Sequence, residues 1–199
     1  MTMKRWIDFA FGFLLVAMSW ANTSATAAAL PDNSIYRIPA LRLVDQDGMA
    51  FEFASLAGQP RLVGMFYGSC RMACPIEIES VKRIQAAVRE AGGRPVAAIL
   101  VSFDPAHDTV PMLRMAAQEH HLRAPEFELA RPQHGDYRAL GAVLGIAWRP
   151  LPGGGFEHNV VIALLDAQGR VVATTDGSGK KVPGAFVRAA LAQEEMPLP

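Results

Sequence analysis

RLVGMFYGSCRMACPIEIESVKRIQAAVREAGG, residues 61–93, decides the fold of this chain. Arg61 to Phe66 is a short apolar run that reads as a buried strand. From Pro75 to Ala91 the spacing changes. Ile76, Ile78, Val81, Ile84 and Val88 fit a helical stripe with one extra apolar position, and Gly92-Gly93 stops it. Cys70 and Cys74 are the only cysteines, and they lie where the strand becomes the helix.

Downstream, strands and helices keep alternating. Val96 to Phe103 reads as a second buried strand. Thr109 to His121 reads as a helix with Thr109 as N-cap and Pro111 in its first turn. Phe127-Glu128-Leu129 suits a short strand, and residues 135–144 suit a helix. Val160 to Leu165 is a strong strand, Gln168-Gly169 a turn, Arg170 to Thr174 the hairpin partner, and Val182 to Gln193 a last helix. Upstream, Leu41 to Val44 and Phe51 to Phe53 alternate around Asp47-Gly48, a hairpin signal. Strand-helix-strand-helix-hairpin-helix implies a sheet covered by helices and joined by right-handed crossovers. The expected fold class is α/β, a thioredoxin-like fold with an added N-terminal β-hairpin.

Composition narrows the function classes. The 199 residues are 51% hydrophobic, which excludes intrinsic disorder. Nineteen basic residues against nineteen acidic ones leave no electrostatic footprint for nucleic acid. Two cysteines exclude a disulfide-rich scaffold. At the N-terminus, Lys4-Arg5, an apolar run from Phe9 to Trp20 and small residues through Ala25 to Ala29 follow the order of a secretory signal. Residues 1–27 are therefore expected to be a signal peptide or an N-terminal anchor, which would tether the protein to a membrane. Residues 28–199 are expected to form one domain in the periplasm or another extracytoplasmic compartment.

Two thiols four residues apart at a helix start lie on one face, about 6 Å apart at Cα. That spacing suits a disulfide or a shared metal ion. Three readings stay open. A purely structural bridge would close so small a ring that it contributes only about 2 kcal/mol. A dithiol redox pair is a second reading, although C-x-x-x-C is one residue longer than C-x-x-C. A metal site is the third, and it needs another ligand. His107 lies in a loop, His120 and His121 end a helix, and His134 reads as an exposed residue at a helix start. His158 differs, because it follows a glycine-rich loop, Gly153-Gly154-Gly155, and stands at the mouth of the Val160–Leu165 strand. Two thiolates and an imidazole are a soft donor set that suits copper at low coordination number. Met72 is either a further soft donor or an ordinary packing residue.

Three blocks in order resemble the Sco/SenC family of copper-binding, thioredoxin-like assembly proteins. The first is LRLVDQDGMAFEFASLAGQPRLVGMFYGSC (41–70), leading into C-x-x-x-C-P at Cys70, Cys74 and Pro75. The second is VSFDPAHDTVPMLRMAA (101–117), with Asp104, Pro105, Asp108 and Thr109. The third is His158 before an apolar strand, followed by Asp166 and Gly169. The resemblance implies copper, Cu(I) or Cu(II), bound by Cys70, Cys74 and His158. It implies a role in maturing the binuclear copper centre of cytochrome c oxidase, as copper donor or as reductant of the acceptor's cysteines. The expected partners are a copper-acceptor protein, an oxidase subunit, and an extracytoplasmic thiol reductant that keeps the pair reduced. The alternative is a thiol-disulfide oxidoreductase in which Cys70 attacks and Cys74 resolves through a Cys70–Cys74 disulfide. One departure is the insert Arg71-Met72-Ala73, where relatives commonly carry an acidic residue. A cation there should lower the thiol pKa.

Overall fold

The computed structural model describes residues 29–68 and 74–194. Among the described residues, nine strands and four α-helices follow in the order β1 (Arg42–Asp45), β2 (Ala50–Glu52), β3 (Arg61–Phe66), α1 (Cys74–Glu90), β4 (Ala97–Ser102), α2 (Val110–Glu119), β5 (Phe127–His134), α3 (Tyr137–Leu144), β6 (Trp148–Pro150), β7 (Phe156–His158), β8 (Val161–Leu165), β9 (Val171–Asp176) and α4 (Gly184–Glu194). Seven strands make one sheet in the order β2-β1-β5-β4-β3-β8-β9. β3, β4 and β5 are parallel, and β8 and β9 continue the sheet antiparallel. The N-terminal hairpin β1–β2 joins the far edge, with β1 antiparallel to β5. This is the expected α/β, thioredoxin-like arrangement with its added hairpin.

Strand alternation divides the core into two layers. Leu62, Phe66, Ala98, Leu100, Ile162 and Leu164 face one side, where Ile78, Val81, Ile84 and Val88 of α1 pack with α2 and α4 residues. Val63, Met65, Tyr67, Ile99, Val101 and Ala163 face the other, where α3 and the N-terminal segment pack. Each buried aliphatic side chain of α1 contributes about 1.5–3 kcal/mol by leaving water. The helix ends at Gly92 (φ 90°), whose N–H reaches Arg89 O, while the Gly93 N–H reaches Val88 O. Ile76 is the extra apolar position of the stripe and is 41% exposed.

Four local expectations change. The strand expected over residues 127–129 runs on to His134. Beyond Ala130 it has only β1 beside it, and there the sheet accepts Pro132 because one flank carries no ladder partner. His134 therefore ends a strand and is not a helix residue; the helix follows Asp136, whose carboxylate accepts from the Ala139 N–H. Thr109 occupies the N-cap position of α2 but makes no side-chain capping bond. The stretch before His158 is a small antiparallel ribbon of β6 and β7, pairing Trp148 with His158. Three-residue strands around Pro150, Pro152 and three glycines read as a loop in sequence.

Candidate metal and thiol site

β3 ends at Phe66, and the chain leaves the sheet through Tyr67 and Gly68 into the cysteine segment. The Gly68 N–H donates to both carboxylate oxygens of Asp108, at 2.8 and 2.9 Å. Asp108 is fully buried and also accepts from the Ser102 hydroxyl. Ser102 in turn accepts from the Asp104 N–H at 3.0 Å, and the Asp108 N–H donates to Asp104 O. The D-P-x-x-D turn is thus a hook that holds the chain two residues before Cys70. There is no room for a side chain at Gly68, since a Cβ would stand 2.8 Å from Asp108 Oδ1. Burial pushes the Asp108 carboxyl above the ordinary aspartate value, opposed by the bonds from Ser102 and Gly68. At the turn's surface, His107 Nδ1 lies 2.9 Å from the Asp104 carboxylate, whose hydrogen bond and charge push the imidazole up.

On the other side of the cysteine segment, α1 opens at Cys74. Cys70, Arg71 and Met72 lie outside the described residues, as does the expected signal or anchor over 1–27. Of the three candidate ligands, His158 has a described side chain. Among the described residues, no group of three His, Cys, Asp or Glu side chains is arranged to hold a metal.

His158 ends β7 inside an aromatic cluster. Its ring meets Tyr67 edge-on at 5.5 Å between centroids and Phe103 at 5.2 Å. Phe103 stacks on Trp148, and Phe156 closes edge-on against Tyr67 and Phe103. The base of the ribbon is clamped by Asn159, which accepts from the Ala147 N–H and donates to Gly145 O, both at 2.8 Å. The His158 side chain is 7% exposed. Two clefts meet at it, one lined by Val160, Thr174 and Asp176, the other by Trp148, Arg149 and Glu157.

Glu77 of α1 reaches the same ring. Its side chain is 1% exposed, and Oε1 lies 3.7 Å from His158 Nδ1. Neither carboxylate oxygen has a hydrogen-bond partner among the described residues. Burial pushes its carboxyl up to about 7, opposed by its own backbone N–H. The sequence reading missed this residue. The signal was present: Glu77, Val81, Ile84 and Val88 share one face at helical spacing, so Glu77 occupies the first position of the buried stripe. An uncompensated carboxylate beside an imidazole suits a site that receives a cation, and the donor set of two thiols and an imidazole fits copper.

The SCO1/SenC family model matches residues 37–187. No curated protein matches the chain. Arabidopsis thaliana ScoI with copper bound shares the fold at TM-score 0.64 and 16% identity, covering 77% of this chain and 95% of that one. Bradyrhizobium japonicum ScoI with copper bound gives TM-score 0.56 and 25% identity over 77% and 95%. BsSco, described by a disulfide switch and as a member of the Sco family of cytochrome c oxidase assembly proteins, gives 0.62 and 18% over 80% and 94%. The family match takes in both cysteines, the Asp104–Asp108 hook and His158, and on its extent the chain belongs to the SCO1/SenC family.

Proposed function

We propose that this protein is an extracytoplasmic copper-binding assembly factor for cytochrome c oxidase. In its reduced form Cys70, Cys74 and His158 hold one copper ion as cargo. The observation that carries the reading is that His158 touches both ends of the cysteine segment. Its ring packs on Tyr67, three residues before Cys70, and stands beside Glu77, three residues after Cys74. Relatives of the same fold hold copper, and one is described as an oxidase assembly protein with a disulfide switch. The aromatic cluster fixes the imidazole while the clefts beside it leave a route for an acceptor's soft ligands, so copper would leave by stepwise ligand exchange. The Lys4-Arg5 and apolar N-terminal pattern supports export or anchoring outside the cytoplasm. Among the described residues, no helix is long and apolar enough to cross a membrane.

A second reading, thiol reduction, is favoured by the disulfide switch of BsSco. Cys70 would attack an acceptor disulfide and Cys74 would resolve the mixed disulfide. The two thiols lose two electrons and two protons to the acceptor's sulfurs, and the Cys70–Cys74 disulfide forms. One experiment separates the two readings. Reduced protein carrying one Cu(I) is mixed with the metal-free soluble copper domain of an oxidase subunit, once with the acceptor reduced and once with it oxidised. Copper transfer to the reduced acceptor is the expected result. Retention of copper, with the oxidised acceptor reduced instead by the metal-free protein, would replace delivery by reduction.

A further inference from the structure

Among the described residues, Glu77 is the buried carboxylate beside His158, and the proposed ligand set does not use it. A carboxylate at 1% exposure with both oxygens unpartnered among the described residues is costly to keep, and an apolar residue would fill the first position of the α1 stripe more cheaply. Its neighbour explains its presence. Nδ1 of His158 lies 3.2 Å from the Asn159 carbonyl and 3.7 Å from Glu77 Oε1. A carbonyl oxygen only accepts, and so does an ionised carboxylate. The Asn159 contact is a hydrogen bond only if Nδ1 carries the proton, and the Glu77 carboxylate, at ion-pair distance and not hydrogen-bonded, favours the same form by its charge, which leaves the lone pair on Nε2.

We infer that Glu77 is a positioning residue for His158: its carboxylate, with the Asn159 carbonyl, holds the imidazole as the Nδ1–H tautomer and presents Nε2 as the donor atom for copper. Carboxylates that receive the second ring N–H of a metal-bound histidine fix its orientation and raise its basicity. The position of Glu77 ties this to the cysteines. It sits one helical turn after Cys74, so the element that carries one thiol also carries the group that orients the imidazole. The aromatic walls contributed by Tyr67 and Phe103 hold the ring plane.

The inference rests on the reading of His158 as a ligand, and the test keeps the two apart. The first measurement uses reduced, metal-free protein, with the His158 tautomer read from its imidazole nitrogen shifts by NMR. The wild type is expected to show one tautomer, Nδ1–H. Glu77→Leu is expected to show a mixture, and Glu77→Gln, which keeps an acceptor oxygen, is expected to restore the single form. The second measurement is copper affinity. Glu77→Leu should weaken binding by about 10- to 100-fold, the usual effect of removing such a partner. Adding Glu77→Leu to His158→Ala should cost nothing further, because Glu77 acts through the ring. A single Nδ1–H tautomer in Glu77→Leu overturns the inference whatever the affinity. An additional loss of affinity in the double variant overturns it as well. If His158→Ala alone leaves copper binding unchanged, the ligand reading fails instead.

Discussion

Two carboxylates are buried at the two ends of the cysteine segment, and their surroundings are opposite. Asp108 stands at the entry, where Gly68 and Ser102 donate to it. Glu77 stands at the exit, one turn into α1, with neither oxygen partnered among the described residues. The same chemical group therefore serves two purposes. At the entry its hydrogen bonds offset part of the cost of burial and fasten the backbone. At the exit burial is uncompensated, so the carboxylate is kept at a cost to stability and beside an imidazole. A buried charge with full partners is read as structure, and one without partners is read as function.

The largest effect should come from breaking the entry. Asp108→Ala leaves the Gly68 N–H and the Ser102 hydroxyl buried without an acceptor, and should cost about 3 kcal/mol in urea unfolding. It should also weaken copper binding, because the chain two residues before Cys70 loses its anchor. Full retention of both stability and affinity would remove the hook from the account. Gly68→Ala attacks the same contact from the backbone side. Its Cβ would stand 2.8 Å from Asp108 Oδ1, and the forced shift should cost about 2 kcal/mol. The two changes meet at one contact, so their combined cost should fall short of the sum of the single costs. Strict additivity would mean that Gly68 and Asp108 act apart.

The exit should respond in the other direction. Glu77→Leu replaces an unpartnered carboxylate by an apolar side chain on the buried stripe. Thermal and urea unfolding of the metal-free protein should show unchanged stability, or a gain of about 1 kcal/mol. A loss comparable to that of Asp108→Ala would make the two carboxylates alike and erase the contrast.

The smallest effect concerns pH. Asp108 holds its proton to higher pH in the native state than in the unfolded chain, since burial raises its pKa. Between the ordinary aspartate value and the raised one, the native state binds more protons, so this group's contribution to stability falls as pH rises. Asp108→Asn does not titrate there. The stability difference between wild type and Asp108→Asn should therefore shift against the wild type as pH climbs through that window. A difference that is flat, or shifts in the wild type's favour, would contradict the direction assigned to burial.

Much of this was legible in the sequence. The run from Arg61 to Phe66 and the stripe from Ile78 to Val88 announce a buried strand and its covering helix because period and composition change sharply between them. The Asp47-Gly48 turn announces the added hairpin. What hid was short or polar. β6 and β7 are three residues each among prolines and glycines, so the ribbon that carries His158 looks like a loop. Ile76 and Glu77 trade the places their chemistry suggests: the isoleucine is exposed and the glutamate buried. Composition points one way and helical phase the other, and phase prevails because Val81, Ile84 and Val88 fix which face meets the sheet. Asp104, Pro105 and Asp108 stand out in the sequence as a motif, but the purpose of the hook depends on a contact across 40 residues, between Gly68 and Asp108, that no local pattern carries.

The central claim is that His158 completes a copper site with the two cysteines. Its most direct test is a titration of the reduced, purified domain with copper against a competing chelator, with the Cu(II) spectrum recorded in parallel. The wild type should bind one copper. Cys70→Ser and Cys74→Ser should abolish tight binding, His158→Ala should weaken it and change the spectrum, and His120→Ala and His134→Ala should do neither. Unchanged affinity and spectrum in His158→Ala would contradict the account.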